Sequence, residues 1–142
     1  MRVRHRYVTY TTHSTNEQQD LERLFHELWH ARQRTLMRAG EWRPLTDVFE
    51  TPEALAVRME LAGVPEDAIE ITVYSDHLVV TGSRHQGDPA SAVEAGVSFH
   101  EAQIHYGPFR AEVRLPVPVD GQRVTATLDR GFLLIHLPRS AG

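Results

Sequence analysis

The sequence predicts an all-β antiparallel sandwich preceded by an amphipathic helical arm. Apolar and polar residues alternate at period two over Leu55–Leu61, Ile69–Val73, Phe109–Leu115 and Val124–Leu128, the pattern of strands with one buried face. Turn-forming clusters separate these runs: Gly63-Val64-Pro65, Ser75-Asp76-His77, Asp120-Gly121 and Asp129-Arg130-Gly131. Upstream of them, Leu21, Leu24, Phe25, Leu28 and Trp29 recur at helical spacing.

A chain of 142 residues holds one domain with its own core plus an appendage. Apolar content of 41% and charged content of 24% are those of an ordinary globular protein. The absence of cysteine excludes disulfide staples, thiolate metal sites and cysteine nucleophiles. Eight Arg against five acids give residues 1–43 a charge of about +3, while seven Arg against fourteen acids give residues 44–142 about −7. The two parts differ in kind, and the boundaries follow: an arm over 1–43, a β-domain over 44–138 and a short tail over 139–142. All fifteen basic residues are Arg, but they are scattered and the β-domain is acidic, so no nucleic-acid partner is expected. The opening MRVRHRYVTYTT has the charge of a secretory n-region without the apolar run that should follow, and no stretch is long enough to span a bilayer. The expectation is a cytoplasmic protein without membrane contact.

Residues 1–15 show no period and read as a flexible arm. Ser14 and Glu17 have capping-box spacing, Asp20 and Glu22 suit the first turns of a helix, and Gly40 suits its C-cap. The apolar stripe of this helix has nothing in its own segment to pack against. His26-Glu27-Leu28-Trp29-His30 within it is a literal H-E-x-x-H, in which two His one turn apart bind zinc and Glu polarises a water. Gln33 and Leu36 stand where the extended motif would place Gly and His, and no sheet precedes the motif to form a cleft. Zinc metallopeptidase is therefore the disfavoured alternative, and no metal or other cofactor is expected. A histidine pH switch through His26 and His30 is a further, weaker idea.

Residues 41–44 form a hinge, and strands over Leu55–Leu61 and Ile69–Val73 follow. A strand over Leu78–Thr81 ends at Gly82, and Arg84–Ser98 is a long loop rich in Gly, Ala, Ser and Asp. Val124–Leu128 and Phe132–Leu137 form a hairpin in which Gly131 takes a positive φ and Pro138 closes the ladder. The second hairpin strand is apolar on both faces apart from His136, which calls for cover on both.

Ala126, Gly131-Phe132-Leu133, Ile135, Leu137 and Pro138 resemble the closing signature of the α-crystallin domain of small heat-shock proteins (the Hsp20 family). Asp47–Thr51, Glu60–Val64 with Asp67 and Ile69, Leu78–Gly82, Tyr106–Phe109, Arg114-Leu115-Pro116 and Asp120 are similar to its other landmarks in order and spacing. Together they cover about two-thirds of the chain. The resemblance implies an immunoglobulin-like sandwich and a non-enzymatic, ATP-independent stress-response chaperone. Such a holdase would bind partly unfolded clients through Leu21, Leu24, Phe25, Leu28 and Trp29. It also implies a groove between the Ile69–Tyr74 and Leu133–Leu137 strands, lined by Ile69, Ile71, Val73, Leu133 and Ile135. A homodimer would form by strand exchange through the loop at Val93, Val97 and Phe99, with higher oligomers built on it. Family members carry Arg where this chain has Ala111, and a C-terminal Ile-x-Ile or Ile-x-Val tail where it has only residues 139–142. The groove is then left for the chain's own arm, another protein's tail or a client. A p23-like co-chaperone or adaptor is the remaining alternative.

Overall fold

Alternation in the sequence becomes alternation in burial. The computed structural model describes residues 1, 3–5, 24, 40–86 and 96–141. In β3 (Ala54–Glu60) the side chains of Leu55, Val57 and Met59 are fully buried while Arg58 and Glu60 face water. β4 (Ile69–Val73) buries Ile69, Ile71 and Val73, and β8 (Phe132–Pro138) buries Leu133, Ile135 and Leu137. Before and between them lie β1 (Val3–His5), β2 (Thr46–Glu50), β5 (His77–Arg84), β6 (Gly107–Arg114) and β7 (Thr125–Asp129).

These strands form two four-stranded sheets, ordered β1-β4-β5-β6 and β2-β3-β8-β7. The inward residues of both make one hydrophobic cluster, so the all-β sandwich stands as expected. All pairings are antiparallel except β1 with β4, which is parallel. The β7–β8 hairpin turns on two residues with positive φ, Arg130 at 51° and Gly131 at 83°, the requirement of a type I′ turn. Gly131 is also pressed against the backbone of Ala62, and its carbonyl accepts from Leu61 N–H at 2.7 Å, tying the hairpin to the end of β3.

Several expectations need correction. Residues 1–15 are not simply a flexible arm, because Val3–His5 is a strand of the first sheet. The strand expected to stop at Gly82 continues to Arg84, since the Gly82 carbon lies under the Phe109 ring and a side chain there has no room. β2 is a strand too, on the edge of its sheet, where four of its five residues are exposed and no alternation marks it. In β6, by contrast, the expected alternation holds: Ala111 faces the core opposite Val80, while its neighbours Arg110 and Glu112 turn to the other face and pair with each other.

The helical arm falls largely outside the described residues. Of its stripe only Leu24 is described; it is helical and 52% exposed. Leu21, Phe25, Leu28 and Trp29 lie outside them, as do His26, Glu27 and His30 of the H-E-x-x-H motif. No helix among the described residues is long and apolar enough to cross a membrane.

Candidate functional site

Ile69, Ile71 and Val73 come from one sheet and Leu133 and Ile135 from the other, and all five are buried in the common core. β1 lies along the edge of β4, with Val3 opposite Ile71, Arg4 opposite Thr72 and His5 opposite Val73. The Met1 side chain is 1% exposed, and Met1 and Val3 both pack against the core. Arg4 turns outward to Glu70, Nη1 to Oε1 at 3.0 Å.

The loop implicated in strand exchange is described from Gly96. Val93 lies outside the described residues, and residues 96–106 contain no strand. Val97, Phe99 and Ile104 are exposed at 53%, 61% and 66%, so an apolar surface is offered along the loop. Its C-terminal end is held by a device the sequence did not reveal. The Arg84 guanidinium stacks over the Trp42 ring at 4.3 Å and reaches toward Tyr106 at 5.7 Å. Its Nε donates to the His105 carbonyl at 2.9 Å and its Nη1 to the Ala62 carbonyl at 3.1 Å. His105 stacks parallel to Trp42 at 5.8 Å, and Trp42 Nε1 donates to the Gly107 carbonyl at 3.1 Å. Trp42 also makes a parallel bridge to Phe109, with Trp42 N–H donating to Pro108 O at 3.2 Å and Arg110 N–H to Trp42 O at 3.0 Å. One arginine thus fastens the hinge, the end of β5 and the end of the loop together.

Beside this junction is an open cleft of about 680 Å3 that also takes in Leu45, Glu60 and Ile104. Its aromatic groups are stacked and both assigned donors of Arg84 are spent on backbone carbonyls, so its chemistry is that of positioning. Among the described residues no group of three His, Cys, Asp or Glu is arranged to hold a metal ion. Near this site the described residues expose the edge strand β2 and the apolar side chains of Val97, Phe99 and Ile104 on the loop.

Sequence reasoning missed β1, β2 and the Arg84 junction. The alternation of Met1 and Val3 about one intervening residue was the available signal for the first, and it is too short to stand out. The pairing of Trp42 with Arg84 has no local signature.

Comparison with known proteins agrees with this geometry. The profile of the Hsp20/alpha crystallin family matches residues 47–142. The small heat shock protein C4 of Rickettsia felis is 31% identical over 96 residues, 68% of this chain and 56% of that protein. The spore protein SP21 of Stigmatella aurantiaca is 34% identical over 96 residues, 68% of this chain and 54% of that protein. The chain thus spans about half the length of these curated relatives. Among solved structures, heat shock protein 16.0 of Schizosaccharomyces pombe superposes with a TM-score of 0.68 at 24% identity, covering 75% of this chain and 73% of that one, a likeness of fold. The two-sheet sandwich and the family match over residues 47–142 place this chain in the Hsp20/alpha crystallin family, the small heat-shock proteins.

Proposed function

We propose that the chain is an ATP-independent holdase that binds partly unfolded proteins and withholds them from aggregation. The observation that supports it best is the exposure of large apolar side chains on the non-strand segments, Leu24 in the arm and Val97, Phe99 and Ile104 in the loop, carried by an acidic sandwich. An unfolding client exposes the complementary surface, and binding it lowers the concentration of the species that aggregates. The arm supplies Leu21, Leu24, Phe25, Leu28 and Trp29 as client contacts, and the β4 edge supplies a second site. No bond is broken and no cofactor is needed.

The working unit is a homodimer in which the loop through Val93, Val97 and Phe99 adds a strand to the partner's sheet, with higher oligomers built from it. β2 is the receiving edge, because residues 47–50 are exposed on the open side of their sheet. The compartment is the cytoplasm.

The test is suppression of light scattering from a heated client by the full chain and by Phe25→Asp/Leu28→Asp. Stoichiometric wild-type chain suppresses scattering, and the double variant loses at least half of that suppression while the sandwich melts at the same temperature. Scattering unchanged by the wild-type chain overturns the holdase reading. Unimpaired suppression by the variant removes the arm as the client site.

A further inference from the structure

The outer faces of the two sheets differ in a way their own strands do not explain. Across the second sheet the register row Asp47–Arg58–Leu134–Thr127 is exposed throughout, Leu134 included at 37%. The matching row of the first sheet is Arg4–Thr72–Val79–Glu112. Arg4 is exposed, Thr72 and Val79 are half-buried, and Glu112 is only 5% exposed. The next outward row, Glu70–Thr81–Arg110, changes in the same direction, from an exposed Glu70 to a half-buried Thr81 and Arg110. Burial therefore deepens toward β6, although an end strand with a bare outer face should be the most open to water. Pairing with Arg110 answers the charge of Glu112, but a carboxylate buried on the outside of a sheet also needs something above it.

The chain's own course supplies that cover. β1 ends at His5, opposite Val73 on one edge of the first sheet, and Trp42 rejoins the same sheet beyond its other end through the bridge to Phe109. Gly82 lies opposite both Ile69 and Phe109, which sets Trp42 level with the start of β4 and His5 level with its end. The two attachments thus stand at diagonal corners, four strand spacings across and four residues along, about 23 Å apart. The inner face is filled by the core, so the outer face is the direct route between them. About sixteen residues of helix cover such a span, and the intervening segment carries helical spacing over Leu21–Trp29, with Leu24 itself helical.

We propose that residues 6–39 lie across the outer face of the first sheet, over Val79, Thr81 and Glu112, as an intramolecular cover. The occupant follows from where the two ends of this segment are held, both on that sheet and neither on the second one. Besides Val79, the residues beneath this path are polar: Thr72, Thr81, Arg110 and Glu112. Such a face gives an apolar stripe little to match, and Leu24 is 52% exposed. The arm is therefore seated on its own sandwich without its stripe being sealed. This placement does not depend on the holdase reading.

The test is site-directed photo-cross-linking in the full-length chain. The chain has no cysteine, so one substituted thiol carries a benzophenone maleimide to one place. Thr81→Cys puts the probe on the proposed seat, and Thr127→Cys puts it on the outer face of the second sheet as the control. On irradiation the probe at 81 captures peptides of residues 6–39 in about fivefold higher yield than the probe at 127. A bulky group at 81 can push the cover aside, so Leu24→Cys reads the same contact from the arm. Its probe links to residues 69–84 or 107–114 in preference to 46–60 or 125–138. Preferential linkage from either the Thr81→Cys or the Leu24→Cys probe supports the seat, and no preference from both overturns it. A denaturing gel shows which chain supplies the arm: linked product at the monomer mass supports a cover within one chain, and linked product at the dimer mass overturns it.

Discussion

Gly82→Ala tests the packing that lets β5 run its full length. A Cβ at this position would stand 2.4 Å from the Ala68 carbonyl oxygen and 2.5 Å from Phe109 Cζ. Both obstacles are rigid, one a backbone atom and the other a ring 1% exposed in the core. Overpacking of this kind costs about 1–3 kcal/mol, and a backbone obstacle places it at the upper end. Replacing a strand glycine returns roughly 0.5–1 kcal/mol of unfolded-state entropy, leaving a net loss of about 2 kcal/mol. Gly63→Ala is the control. There φ is +79° and the nearest atom is Arg84 Cδ at 3.8 Å, so backbone strain of about 1–2 kcal/mol acts, and the same entropy return leaves a net loss of about 1 kcal/mol. Urea unfolding at one fixed protein concentration compares the two. With an m-value of about 1.5–2 kcal/mol/M, Gly82→Ala lowers the midpoint by about 1 M and Gly63→Ala by about half as much. A midpoint for Gly82→Ala at or above that of Gly63→Ala refutes the close-approach argument.

Two further variants probe the junction at Arg84. Trp42→Phe keeps the core contact but loses the Nε1–H donation to Gly107 O and the larger face under Arg84, and thermal melting should show a loss of about 1–2 kcal/mol. Arg84→Ala frees the His105 and Ala62 carbonyls together, so limited proteolysis should cut within residues 96–106 severalfold faster while cleavage elsewhere is unchanged.

The strands whose two faces differ were legible in the sequence. β3, β4, β6 and β7 each set apolar against polar positions over at least five residues, and the Asp129-Arg130-Gly131 turn located the last hairpin. β2 escaped because an edge strand with both faces near water needs no alternation. β1 escaped because three residues carry less than two periods of any pattern. Gly82 misled for a physical reason: the same residue type ends strands and admits a ring from the next strand, and only the partner at Phe109 distinguishes the two. Long-range devices such as Arg84 on Trp42 depend on how β5, the hinge and the loop converge, which no local spacing encodes. The expectation that Phe132–Leu137 needs cover on both faces met a different solution. Phe132 is 50% exposed, and Leu134 and His136 also face water.

That exposed face shows how a sandwich can display apolar groups without becoming adhesive. In register, Phe132 lies between Glu60 on β3 and Asp129 on β7, and Leu134 lies between Arg58 and Thr127. Each outward apolar side chain is flanked across the ladder by charged or polar neighbours, so no continuous patch forms along this sheet. A copy stacking on this face would have to desolvate those carboxylates and the guanidinium, and the burial of two side chains does not offset that cost. Val97, Phe99 and Ile104 have no such flanking, because residues 96–106 belong to no ladder. Among the described residues, apolar exposure is therefore least interrupted along residues 96–106 rather than on the outer face of this sheet. The acidic balance of residues 44–142 adds charge repulsion between copies to this polar flanking.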